Sequence, residues 1–122
     1  MVALRDATLA LATVALALAV GGCNAERKQE CDSLLAAMKP LDQGTPSSAT
    51  VDAVHKQISA MTFQDQTLGI YAKNYGATLT ILANTLQLQE GANPPDGTAD
   101  VVKLNLKKAR TDRDDVQRTC AQ

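Results

Sequence analysis

Hydrophobic positions recur every three or four residues in four separate segments of the chain, which is the spacing of one face of an α-helix. The most regular segment runs from about Asp65 to Gln89 and predicts one long helix. Gly69 and Gly76 lie within it, where a glycine costs about 1 kcal/mol relative to alanine, and we expect them beside a close helix crossing. Its apolar positions alternate spacings of four and three residues: Leu68, Ala72, Tyr75, Leu79, Leu82 and Leu86.

Three further segments have the same period and are separated by breaks rich in proline and glycine. The first helix is expected to end near Lys39, because the residue before Pro40 disfavours helical geometry. The segments 40–48 and 91–97 are predicted loops. The apolar positions of the first, second and fourth helices are Cys31, Leu34, Leu35 and Met38; Val51, Val54, Ile58 and Met61; and Val102, Leu106, Ala109, Val116 and Cys120, with Arg113 on the last stripe. The candidate N-cap residues are Ser47, Ser48 or Thr50 for the second helix, and Thr98 or Asp100 for the fourth.

Four helices joined by short connections predict an all-α fold, a small antiparallel helical bundle. Two other arrangements remain open. The second and third segments form one helix if the chain stays helical through 61–65, which leaves a three-helix arrangement. Alternatively, the two longest segments form a helical hairpin against which two short helices pack.

The stretch before the first helix has the layout of an export signal. Residues 7–20 carry no charge and follow a tip that contains Arg5. Fourteen residues cover roughly 21 Å as a helix, which is too short for the ~30 Å hydrocarbon core of a membrane. Two glycines then break the helix, so we expect cleavage near Gly22.

The sequence Val20-Gly21-Gly22-Cys23 resembles the lipobox of bacterial lipoproteins, a family feature that covers residues 1–24 only. The resemblance implies a diacylglyceryl thioether on the Cys23 sulfur, removal of residues 1–22 and acylation of the new amine. Residues 23–122 would then be one domain anchored to the membrane of the cell envelope, with two or three acyl chains for stable attachment. Asn24 in place of aspartate implies the outer membrane, if the cell has one. The alternative is an ordinary secretory signal, which leaves Cys23 as a free or paired thiol.

Export places the two remaining cysteines in an oxidising compartment. Cys31 lies near the start of the first predicted helix, and Cys120 lies at the end of the last. An even number of antiparallel helices returns the chain to the end where it began, whereas an odd number does not. A Cys31–Cys120 disulfide is therefore expected for four helices and is incompatible with three simple antiparallel helices.

Composition argues against nucleic acid as a partner and against a β-sandwich fold. The formal net charge is −1, tryptophan is absent, and the three aromatic residues are Phe63, Tyr71 and Tyr75. A chain without a basic surface or interleaved aromatics has no field that attracts nucleic acid. A core of aliphatic side chains also suits helices better than a β-sandwich.

No group of residues predicts catalysis, a metal site or a cofactor. The single histidine, His55, lies on a polar stretch of the second helix and is expected on the surface. Asp112, Asp114 and Asp115 alternate with arginines, which is typical of a solvated charged face. Tyr71 and Tyr75 lie four residues apart, as expected for core or rim packing. The sequence contains no glycine-rich phosphate loop or nucleophile elbow, so we expect a protein that is not an enzyme.

The expected function is contact with an unidentified protein partner in the cell envelope or periplasm. The alternative is a carrier of a small ligand or lipid in an apolar pocket between helices. The parity of four helices predicts that Cys23, the disulfide and the turn near Phe63 lie at the membrane end. Loops 40–48 and 91–97 should then lie together at the other end, where they either bind a partner or serve as plain connections.

Overall fold

The computed structural model describes residues 25–122, and within them the chain is helical with no strand. All four predicted helices are present, so the all-α bundle is confirmed. A single 3₁₀ turn, Lys39–Leu41, follows the first helix in the segment that was predicted to be loop. Residues 1–24, and with them the export signal and Cys23, lie outside the described residues. The helices are α1 over 25–38, α2 over Ser48–Ser59, α3 over Gln66–Gln89 and α4 over Thr98–Ala121.

The two long helices, α3 and α4, form a hairpin to which the shorter helices are added. Each contains 24 residues, which corresponds to a length of about 36 Å. The chain runs up, down, up and down, so the structure is a four-helix antiparallel bundle that also has the hairpin of the second arrangement. The three-helix arrangement is wrong, because α2 ends at Ser59 and a new cap at Asp65 begins α3.

The core contains the predicted apolar faces of all four helices, as expected when each helix buries one stripe. Every position of the heptad-like seam of α3 is buried. Three predicted apolar positions, Leu35, Met61 and Cys120, are only half-buried, whereas Ala37 of α1 is buried. The largest side chains that are almost completely enclosed are Tyr75, Leu34, Met38, Leu41, Leu68, Leu79 and Leu82.

Side-chain caps begin α2 and α3. The hydroxyl oxygen of Ser47 accepts a hydrogen bond from the Thr50 backbone N–H at 3.2 Å, so one of the three candidate caps is confirmed. The Asp65 carboxylate accepts from the Leu68 N–H at 3.1 Å. Each cap satisfies a backbone N–H that has no partner inside its helix.

The start of α4 differs from the prediction that Thr98 or Asp100 caps it. Gly97 occupies the cap position with φ 85° and, because it has no side chain, provides no polar cap. Thr98 is already the first helical residue, and its hydroxyl donates to the Pro95 carbonyl at 2.6 Å. A glycine that adopts the left-handed conformation turns the chain into the helix without a polar cap.

Gly69 and Gly76 lie where α3 contacts α2 and the turn after it, which agrees with the expected position beside a helix crossing. A Cβ atom on Gly76 would lie 3.4 Å from two ring atoms of His55. A Cβ atom on Gly69 would lie 3.6 Å from the Cβ of Phe63. The neighbours are therefore side chains of α2 and of the turn after it. His55 is half-buried rather than a fully exposed surface residue.

None of the helices described between residues 25 and 122 has both the length and the apolar character needed to cross a membrane.

Candidate functional site

The first feature of functional interest is the Cys31–Cys120 disulfide, which is present as the sequence predicted. It joins α1 to the last turn of α4 across 89 positions of sequence, with a Cα–Cα distance of 5.8 Å. Cys31 is buried, and Cys120 is half-buried. The bond therefore holds the two ends of the domain together at one end of the bundle, which we call the disulfide end.

A network of polar contacts around Arg27 reinforces the disulfide end. The Arg27 guanidinium donates from Nε to the Asp65 carboxylate at 3.0 Å and from Nη2 to the Thr119 carbonyl at 2.9 Å. One turn further along α1, the Glu30 carboxylate accepts hydrogen bonds from the backbone N–H groups of Gln64 and Asp65. The start of α1, the start of α3 and the end of α4 therefore meet in one place.

The charge on Asp65 is favoured by this arrangement. Its pKa lies below the ordinary value of 3.8, chiefly because the carboxylate accepts from the Leu68 N–H, with a further contribution from Arg27. Partial burial opposes the shift. Asp65 therefore acts as a helix cap and as an ion-pair partner of Arg27 at the same time.

The opposite end of the bundle carries the two predicted loops, 40–48 and 91–97, and we call it the loop end. Ser48, at the start of α2, donates from its backbone N–H to the Glu90 carboxylate at 3.1 Å. The Ser48 hydroxyl donates to the same carboxylate, and these bonds lower the pKa of Glu90. Loops 40–48 and 91–97 consequently meet at one end, as predicted from the number of helices.

The two loops differ in how firmly they are held. Arg110 of α4 donates from Nε to the Leu41 carbonyl at 3.2 Å and from Nη2 to the Gly44 carbonyl at 2.6 Å. Leu41 is also buried in the core. In contrast, every residue of 91–97 is exposed. Loop 91–97 is therefore the more accessible surface for a partner.

A partly buried group of charges was not predicted from the sequence. Asp112 is half-buried, and desolvation is the main reason that its pKa is raised. Among residues 25–122 its Oδ2 atom has no hydrogen-bond partner, and Arg113 beside it lies 3.5 Å from Asp42 and 3.3 Å from Asp114. Burial is the main reason that the pKa of the Tyr75 hydroxyl is raised, and the nearby Asp42 and Asp112 carboxylates add to the shift.

The expectation of a fully solvated face is therefore wrong for Asp112 and holds only for the outward-facing Asp114. The helical period contained the signal, because Ala109, Asp112 and Val116 fall on the same side of α4.

Two surface grooves border the turn between α2 and α3. The larger has a volume of about 470 Å³ and includes His55, Phe63, Gly69, Lys73 and Gly76 in its lining. The smaller, about 350 Å³, lies between that turn and α1, where Glu26 and Glu30 contribute to its wall. Both combine apolar and polar groups. Across residues 25–122, no three His, Cys, Asp or Glu side chains are grouped closely enough to hold a metal ion.

Comparison of the chain with protein-family models, with curated proteins and with solved structures finds no match in any of the three. The functional proposals below are therefore argued from residues and geometry.

Proposed function

We propose that the chain is an exported bacterial lipoprotein, attached to the cell envelope through lipid on Cys23, whose helical domain acts by contacting another protein. The lipobox-like sequence Val20-Gly21-Gly22-Cys23 is the basis for the lipid. The observation that carries the proposal is the Cys31–Cys120 disulfide, because structural disulfides form and persist in the oxidising compartments that exported proteins reach.

The geometry also supports a division of labour between the two ends. Only seven residues separate Cys23 from Cys31, so a lipid on Cys23 would be attached close to the disulfide end. The exposed loop 91–97 would lie about 36 Å away along α3. An exposed loop on a rigid scaffold is a common place for a protein contact, and we propose loop 91–97 as the contact surface.

The anchor is tested by the substitution Cys23→Ser, with Cys120→Ser as a matched control. We expect Cys23→Ser to accumulate as the unprocessed precursor and to incorporate no labelled fatty acid. Cys120→Ser removes a different cysteine and should keep both processing and lipid. Normal processing and membrane attachment of Cys23→Ser would refute the anchor.

The contact surface is tested by placing a photo-crosslinking residue at Asn93, within loop 91–97, and at exposed Gln29 on α1. We expect a specific crosslinked protein from position 93 and not from position 29. Equal products from both positions, or no product from position 93, would remove loop 91–97 as the contact surface.

A small-ligand carrier is the second candidate, favoured by the groove of about 470 Å³ beside His55 and Phe63. This volume lies within the range of about 300–1,000 Å³ that is usual for ligand pockets. A saturable rise in the melting temperature with one lipid or other small molecule would support a carrier. Substitution of Gly76 by leucine, which fills the groove, should then abolish that rise.

A further inference from the structure

The outer face of α3 carries a second regular stripe that the bundle does not use. Its positions alternate spacings of four and three residues, like the buried seam on the opposite side of the helix. All six are exposed, and Ile70, Ile81 and Leu88 keep 60%, 51% and 55% of their surface accessible. The outer stripe consists of Ile70, Asn74, Ala77, Ile81, Asn84 and Leu88.

The surroundings of the outer stripe are poor in charge. Lys73 is the single charged residue among the 24 residues of α3. Near the loop end, α4 has two exposed aliphatic side chains of its own, Val101 and Leu104, which are 41% and 67% accessible. A solvent-exposed helix face normally carries charged residues. The outer stripe of α3 therefore has the composition of an interface.

We propose that the outer stripe pairs with the outer stripe of a second copy of this chain, antiparallel and about a two-fold axis level with Leu79. In that register Ile70 lies opposite Leu88 of the second copy, and Ala77 lies opposite Ile81. Asn74 lies opposite Asn84. The same contacts occur twice, as a two-fold interface requires.

The order of residue types along the outer stripe favours a second copy of the chain as the partner. Each large aliphatic side chain meets either another aliphatic residue or the small Ala77, which allows the two helices to interdigitate. The two asparagine layers can each form an amide–amide hydrogen bond across the pair, and a buried asparagine is a known means of fixing the register of paired helices. A lipid surface would leave Asn74 and Asn84 without such partners, since hydrocarbon offers no hydrogen bonds.

The area available indicates a weak dimer. A strip about 36 Å long and 10–12 Å wide covers roughly 400 Å² on each copy. Two such strips bury on the order of 800 Å² in total, which is below the standard size of specific interfaces and corresponds to a weak contact. We therefore expect dimerisation to depend on protein concentration, and confinement of the chain to a surface would raise the dimer fraction.

The arrangement does not depend on lipid at Cys23. If both proposals hold, two copies attached to the same membrane lie with α3 along the membrane plane, because antiparallel pairing places their disulfide ends at opposite ends of the dimer.

The register is tested by thiol crosslinking of the full chain in detergent. Asn74→Cys and Asn84→Cys are prepared with different affinity tags, mixed, and treated with a short bismaleimide; the unsubstituted chain gives the background. We expect the mixed 74–84 product to exceed either homodimer at least fivefold. An excess of 74–74 and 84–84 products indicates parallel pairing and overturns the proposal. The absence of any product above background overturns it as well.

The surface is tested independently by sedimentation of Ile81→Lys and its matched control Gln87→Lys. Gln87 is exposed on α3 but lies off the outer stripe. We expect Ile81→Lys to weaken dimerisation at least tenfold and Gln87→Lys to leave it within twofold. Equal behaviour of the two variants overturns the proposal. If phosphatidylglycerol vesicles protect the thiol of Asn84→Cys from reaction and no crosslinked dimer forms, the outer stripe contacts lipid and the proposal is wrong.

Discussion

Removal of the Cys31–Cys120 disulfide should destabilise the domain more than any other single covalent change. Cys120→Ala is the least disruptive way to remove it, because Cys120 is half-buried whereas Cys31 is 4% exposed. The bond spans 89 positions of sequence, and a loop of that size lowers the entropy of the unfolded chain by about 15 cal/mol/K. This corresponds to about 4.6 kcal/mol at 25 °C in the loop-entropy description.

That value is large beside the whole stability of such a domain. A chain of about 100 residues typically has an unfolding free energy of about 5–15 kcal/mol. One kcal/mol shifts the melting temperature of a domain of 60–100 residues by about 4–8 °C, so the full effect corresponds to roughly 20–35 °C. The reduced protein should therefore be close to the limit of folding at physiological temperature.

Urea unfolding followed by far-ultraviolet circular dichroism, with and without a thiol reductant, measures the effect. The reductant should lower the unfolding free energy of the natural chain to that of Cys120→Ala and should leave Cys120→Ala unchanged. Coincident unfolding curves for the oxidised and reduced natural chain would refute the reasoning. A shift of Cys120→Ala by the reductant would show that the reductant acts elsewhere.

Two further substitution experiments follow from local geometry. Gly76→Ala should raise the unfolding free energy by up to about 1 kcal/mol, because alanine favours a helix interior and its Cβ would lie at a normal contact distance, 3.4 Å, from His55. Gly97→Ala should lower the unfolding free energy by about 1–2 kcal/mol, because Gly97 has φ 85° and alanine is strained in that left-handed conformation. If urea unfolding shows that both substitutions stabilise the domain, or that both destabilise it, the roles given to the two glycines are wrong. Asp65→Asn should be less stable than the natural chain above about pH 4. The difference should shrink as the pH falls below 3.8, because the folded pKa of Asp65 is lowered; a difference independent of pH would contradict this.

The helices and their number could be predicted from the sequence because the hydrophobic period is long and uninterrupted. The seam of α3 repeats over 24 residues, so Leu68 through Leu86 could be assigned to one face without knowledge of their neighbours. The pairing of Cys31 with Cys120 followed from the number of helices. Burial was less predictable at the edges of a stripe, where Leu35 and Met61 are only half-covered.

Features that depend on a particular backbone conformation or on a second face were not predicted. Gly97, rather than Thr98 or Asp100, occupies the cap position before α4, and its positive φ angle is not visible in the pattern of residue types. Alternating charges around Asp112 indicated a solvated face, although its position placed it against the core. The outer stripe of α3 was not predicted, because each helix was expected to have a single apolar face.

The disulfide has a mechanical consequence as well. Force applied between an anchor at the N-terminal side of Cys31 and a load attached beyond Cys120 passes directly through the sulfur–sulfur bond. Apart from residues 25–30 at the beginning of α1, the helices lie outside that path, so tension between the two ends of the chain does not pull the bundle apart. A protease cut in loop 91–97 would likewise leave the two fragments covalently joined through the disulfide.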